Sequence, residues 1–203
     1  MKIIETRSAP NPRRVRIFLA EKDIAVPFEE VDLMAGDLKS VAFRQKNPME
    51  RVPVLELDDG TCISESVAIC RYFEELQPEP ALFGRGPIGR AMVEMWNRRL
   101  ELGLFFHVAQ HFRHLHPKMA HLEVPQVAEW GRANKPKALE MLVLLEERLG
   151  RFRFVAGDEY SIADITALVG IDFMKPARIE RPPGLDHLAR WYAEMVARPS
   201  ATA

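Results

Sequence analysis

The chain has 203 residues, 47% of them apolar, and a formal net charge of −1. That length and composition supply a substantial core in one large domain or two small ones, and exclude a disordered chain. A near-neutral balance without a concentrated basic face excludes an electrostatic grip on nucleic acid, and no apolar run reaches membrane-spanning length.

Residues 2–5, KIIE, read as a short strand. Asn11 followed by Pro12 reads as a helix start, with the Asn as N-cap and the Pro in the first turn. Val15, Phe18 and Leu19 then share one helical face. Residues 26–33 read as a second strand, 38–46 as a short irregular helix and 52–57 as a third strand. The DDG turn at 58–60 leads into a fourth strand, TCI. Ser64 to Leu76 is helical. The first part is therefore β-α-β-α-β-β-α, assigned to residues 1–77.

The segment QPEPALFGRGP is rich in Pro and Gly and marks a linker at 78–87. Beyond it, in 88–203, strand signals are missing. Helical patterns fit about 88–116, 125–149, 161–174 and 185–197. The expected fold class is α/β plus all-α. Ser161 and Asp164 are spaced as a capping box, with Tyr160 and Ile165 at the flanking staple positions. A Ser beside an Asp invites a hydrolase reading, but the cap is the better one.

Cys62 and Cys70 are the only cysteines and do not form C-x-x-C, which argues against a thioredoxin-type redox pair. His107, His111 and His114 recur on one helical face without carboxylate or thiolate support, so no metal site is expected. The apolar run at the N-terminus is too short for a signal peptide, so a cytoplasmic protein is expected.

The stretch NPMERVPVLELDDGTCISESVAICRYFEEL, 47–76, combines V-P at a strand start, a D-G hairpin and E-S opening a helix. In that order it resembles the glutathione transferase family. The resemblance extends to RVRIFLAEK upstream and FVAGDEYSIADITALVGIDF downstream. It is nearest the yeast-type and bacterial members.

The resemblance implies a thioredoxin-like domain that binds glutathione and a helical domain that contributes the site for a small hydrophobic electrophile. It implies a detoxifying homodimer with no metal. It implies a cis bond between Val52 and Pro53, with the Val52 backbone pairing to the cysteinyl backbone of glutathione. Ser66 would take the γ-glutamyl carboxylate at a helix N-terminus, and Glu65 the γ-glutamyl ammonium. Lys39 and Arg51 match positions for the glycyl carboxylate, and either is otherwise a solvated surface charge.

Relatives often carry a serine that donates to the glutathione sulfur. Alignment through Asn11 and RRVRI places Ala9 there, and Ser8 is one residue early, on the other side of an extended chain. The resemblance is thus to a class without the usual Ser, Tyr or Cys. Candidates to stabilise the thiolate are Asn11 or the neighbouring N–H groups, Ser8 if the loop differs, and His114 holding a water. The alternative for Asn11 is a plain N-cap. Phe105, Phe106, Phe112 and Trp130 serve a co-substrate surface or the core, with core the default. The segment MVEMWNRRLELGLF suits a two-helix dimer contact. Rival activities on this scaffold are a glutathione-dependent peroxidase, dehalogenase or isomerase, and a non-catalytic glutathione-binding or regulatory protein.

Overall fold

The computed structural model describes all 203 residues. The chain divides into two compact units, Met1–Leu82 with Pro199–Ala203, and Phe83–Arg198. No helix is long and apolar enough to cross a membrane.

The first unit holds strands β1 (Lys2–Glu5), β2 (Phe28–Glu30), β3 (Val54–Glu56) and β4 (Cys62–Ser64) in the order β2-β1-β3-β4. β1 and β2 are parallel, joined through helix α1 (Pro10–Glu21). The other two pairs are antiparallel. Ile3, Ile4, Val54 and Leu55 are all buried. Successive strand residues point to opposite faces, so both faces of the sheet are covered. On one face Ile4 and Val54 pack with Leu38 and with Phe43 of α2 (Val41–Lys46). β2 is shorter than the sequence pattern implies. Pro27 has no N–H for a ladder and contributes only its carbonyl, to Ile3 N–H at 2.9 Å.

α1 packs against α3 (Ser66–Leu76), and two cations, one on α1 and one just past its end, lie inside that contact. Arg14 Nη1 donates to Ser66 Oγ at 2.6 Å. Lys22 Nζ lies 2.7 Å from Glu74 and donates to the carbonyls of Gln77 and Pro80. The tail returns to α1, where Ser200 Oγ donates to Glu21 and Ala201 O accepts from Arg13.

The second unit is helical: α4 (Gly86–Leu100), α5 (Phe106–Leu115), α6 (Ala128–Leu149), α7 (Ile162–Met174) and α8 (Asp186–Val196). The single helix expected over 88–116 is two α-helices with a π-helical segment, Glu101–Phe105, between them. α7 has eleven buried residues of thirteen. It crosses α4 where Thr166 Oγ1 donates to Asn97 Oδ1 at 2.6 Å, both residues fully buried.

The capping box expected at the start of α7 is present. Asp164 does more than cap. It accepts from Ser161 N–H and Oγ, from Val155 N–H and from Trp191 Nε1 of α8, all between 2.9 and 3.1 Å. Complete burial outweighs these four donors and pushes its carboxyl up to about 6. The folded state therefore holds a proton that the unfolded chain releases near 3.8. Stability from this group is highest at low pH and falls as pH rises from about 3.8 through about 6. Asp164→Asn should abolish that slope. Denaturation across pH 4 to 7 should show wild type losing ground to the variant as pH rises; parallel curves would refute the assignment.

Candidate functional site

Strand register gathers the site. Val54 faces Ser64 across β3 and β4, and Ile4 faces Val54 across β1 and β3. The residues before β3, those after β4 and those after β1 therefore leave the sheet at one end. Arg51–Pro53, Glu65–Ser66 and the loop 6–9 into α1 all belong to that end.

The Val52–Pro53 bond is cis, as the resemblance implied. The loop before it is built on Asn47, which is 1% exposed. Asn47 Nδ2 donates to Arg51 O at 2.7 Å, while its Oδ1 accepts from Met49 N–H at 3.0 Å. Asn47 is a site-forming residue that the sequence reading passed over; its only signal was the N-P turn dipeptide. Arg51 is exposed, and its Nη1 donates to Glu50 O. Lys39 is exposed at the end of a 3₁₀ turn. The buried Leu38 beside it packs in the same cluster as Val52, which keeps Lys39 near the binding strand.

α3 begins at Ser66, with Glu65 as N-cap. Neither Ser64 nor Ser66 caps the helix. Glu65 makes no cap bond, is exposed, and has φ +69°, a region side chains avoid. Ser66 is 5% exposed, in the first turn, where N–H groups have no helical carbonyl to bond.

The start of α1 differs from expectation. Ala9, not Asn11, is the N-cap; Pro10 is the first helical residue and Asn11 the second. The rule that places Pro at the helix start fits Pro10 as well as Pro12, and Pro10 takes the position. Two prolines leave few donors. Pro10 and Pro12 have no N–H, and Arg13 N–H bonds to Ala9 O. Asn11 carries the N–H of the first turn that has no helical acceptor. Its side-chain oxygen accepts from Arg14 Nη1 at 3.2 Å. Arginine only donates, so the amide oxygen faces Arg14 and Nδ2 points away from it. Ser8 is exposed in the turn before the helix. Arg14 is the second residue missed. Its signal was a cation at 14 in line with Phe18 and Lys22 on the packed face of α1.

The three histidines form a seam within the helical unit, each bonded to α6 or its N-cap. His107 Nδ1 meets Asn134 Oδ1 at 2.6 Å, His111 Nδ1 meets Gly131 O at 2.9 Å, and Val127 N–H donates to His114 Nδ1 at 3.0 Å. These contacts set the tautomers. His114 Nδ1 accepts, so in the neutral ring Nε2 carries the proton, 3.7 Å from Glu123. That ring is 9% exposed, and its Nδ1 is taken by Val127 N–H. Asn134 Nδ2 donates to Trp130 O, so its Oδ1 accepts the Nδ1 proton of His107 and leaves Nε2 basic. His107 is half-buried, and it is the histidine equipped to hold a water. Phe105 and Phe112, expected in the core, are half-buried and meet Phe173 with ring centroids 6.0 and 5.1 Å away. Phe106 and Trp130 are exposed.

Family models for the glutathione S-transferase N-terminal and C-terminal domains match residues 4–81 and 95–199. Glutathione S-transferase 2 of Saccharomyces cerevisiae is 39% identical, over 98% of this chain and 87% of that protein. A glutathione S-transferase domain-containing protein of Marinobacter aquaeolei superposes with a TM-score of 0.96 at 44% identity, over 98% of this chain and 99% of that one. Gtt2 of Saccharomyces cerevisiae superposes with a TM-score of 0.95 at 38% identity, over 100% and 99%.

His114→Ala should act on stability, because the bond from Val127 N–H is lost at a cost of about 0.5–1.5 kcal/mol. Urea denaturation should show a lower midpoint with an unchanged slope. An unshifted midpoint would remove the structural role.

Proposed function

The chain belongs to the glutathione S-transferase family, and we propose that the end of its sheet where Arg51–Pro53 and Glu65–Ser66 meet binds glutathione and that no side-chain nucleophile takes part. The convergence of these segments through the β3–β4 register carries the reading. The protein is a glutathione transferase, joining the glutathione thiolate to small hydrophobic electrophiles.

Ser66 and the first N–H groups of α3 receive the γ-glutamyl carboxylate, with the positive end of the helix dipole behind them. Glu65 receives the ammonium. The Val52 backbone pairs with the cysteinyl residue, and Lys39 and Arg51 attend the glycyl carboxylate. The aromatic face of Phe105, Phe112 and Phe173 suits an apolar electrophile. The same scaffold also suits a glutathione-dependent isomerase or peroxidase. Exposed Leu102 within the expected dimer segment, and Phe106 directly after it, give apolar surface, in keeping with a cytosolic homodimer.

The nucleophile is the ligand's own sulfur. A free thiol ionises near 8.5, and each unit of lowering requires about 1.4 kcal/mol of preference for the thiolate. With Ala9 at the usual serine position, Asn11 supplies the donors: its N–H at the start of α1 and its Nδ2. Ser8 is the fallback.

Retention on immobilised glutathione, then conjugation of a general aromatic electrophile, tests the reading. No retention would sink it; retention without turnover over electrophiles and peroxides would favour the regulatory rival. Ser66→Ala should weaken glutathione binding severalfold or more, as read by calorimetry. Asn11→Ala should raise the thiol pKa of bound glutathione, read from thiolate absorbance against pH. The rate at neutral pH then falls and recovers in alkali. An unmoved titration would transfer the role to Ser8.

A further inference from the structure

Arg14 lies behind the site, 2% exposed. Its guanidinium has five donors and no acceptor, and it stays charged throughout the working pH range. Nη1 donates to Ser66 Oγ at 2.6 Å and to Asn11 Oδ1 at 3.2 Å. A hydroxyl oxygen that accepts from Arg14 keeps its own proton for another acceptor. Without that contact a serine in the first helical turn rotates, accepts as readily as it donates, and competes for nearby backbone groups. The charged donor also polarises the O–H it bonds to, which strengthens the next hydrogen bond in the chain.

We propose that Arg14 is a positioning residue: it holds Ser66 as a donor and so sets the preference of this site for a ligand carrying a carboxylate there. The inference rests on the reading of the α3 N-terminus as the γ-glutamyl site. Arg14 acts through Ser66. The selectivity therefore comes from the direction of one O–H bond. An amide or an unsubstituted carbon in place of the carboxylate cannot use that proton as well.

The test compares glutathione with γ-aminobutyryl-cysteinyl-glycine, which differs from it only in lacking that carboxylate. Calorimetry is run on wild type, Arg14→Met, Ser66→Ala and the double variant. Wild type should prefer glutathione by about tenfold or more, as a charge-assisted hydrogen bond implies. Arg14→Met should cut that preference to about threefold or less while changing affinity for the analogue by under about twofold. In the double variant the loss should be no greater than in Ser66→Ala, because the two residues act as one unit. Equal loss of both ligands in Arg14→Met would mark a merely structural role and overturn the proposal. So would an unchanged preference, or additive losses in the cycle. Where the methionine variant does not fold, Arg14→Gln is read in the same way, since its amide can accept as well as donate. Failure of wild type to bind glutathione overturns the site reading and the proposal together. Wild-type binding with the preference intact in the variants overturns the proposal alone.

Discussion

The pairing of two buried cations, Arg14 on α1 and Lys22 just past its end, with α3 is the constraint on which the first unit depends. Arg14 meets Ser66 at the start of α3, and Lys22 meets Glu74, Gln77 and Pro80 at its end. Taking each ion out of water costs several kcal/mol, which only complete pairing offsets. A slide of α3 by one turn would break both sets of contacts at once and strand two charges in an apolar layer. Apolar packing alone tolerates small slips, because it has no direction. The ionic contacts do not, so the N-terminus of α3 is held where the β3–β4 hairpin delivers it.

Around that fixed helix, the site is a matter of which end of the sheet each loop leaves from. Antiparallel register sends residues 51–53 and 65–66 out together, and β1 sends the loop before α1 out beside them. On the proposed reading, the chemistry is supplied by donors rather than by a reactive side chain. Prolines at 10 and 12 remove N–H groups from the first turn of α1, and Arg14 turns the Asn11 amide so that its nitrogen faces away. A site of this kind handles an anion by presenting preorganised donors to it, in the manner of helix N-termini generally.

Features set by neighbours in sequence were legible. The capping box at Ser161 and Asp164, the helical periods of α3, α6 and α7 and the turn at Asp58–Gly60 depend on contacts within a few residues. The start of α1 was misread because two Pro residues satisfy one rule, and only the packing of the whole helix decides between them. The histidine row was read as one face, correctly, but the pattern does not say which helix lies opposite. That helix offers an acceptor to His107 and a donor to His114, and so gives them opposite tautomers. Arg14, Asn47 and the extra partners of Asp164 were illegible for a further reason. Arg14 meets Ser66 across 52 residues and Asp164 meets Trp191 across 27, and most polar residues in such positions are merely solvated.

Glu65 keeps a backbone conformation that glycine would adopt at no steric cost. Holding a side chain there costs on the order of 1–3 kcal/mol. The protein without a ligand therefore carries a standing penalty at the residue proposed to meet the ammonium. Optimisation for thermostability alone would replace Glu65 with glycine and remove the carboxylate with the strain. The position is one where robustness and recognition pull against each other, so a hardened version of this protein would be gained at the expense of its grip on the peptide.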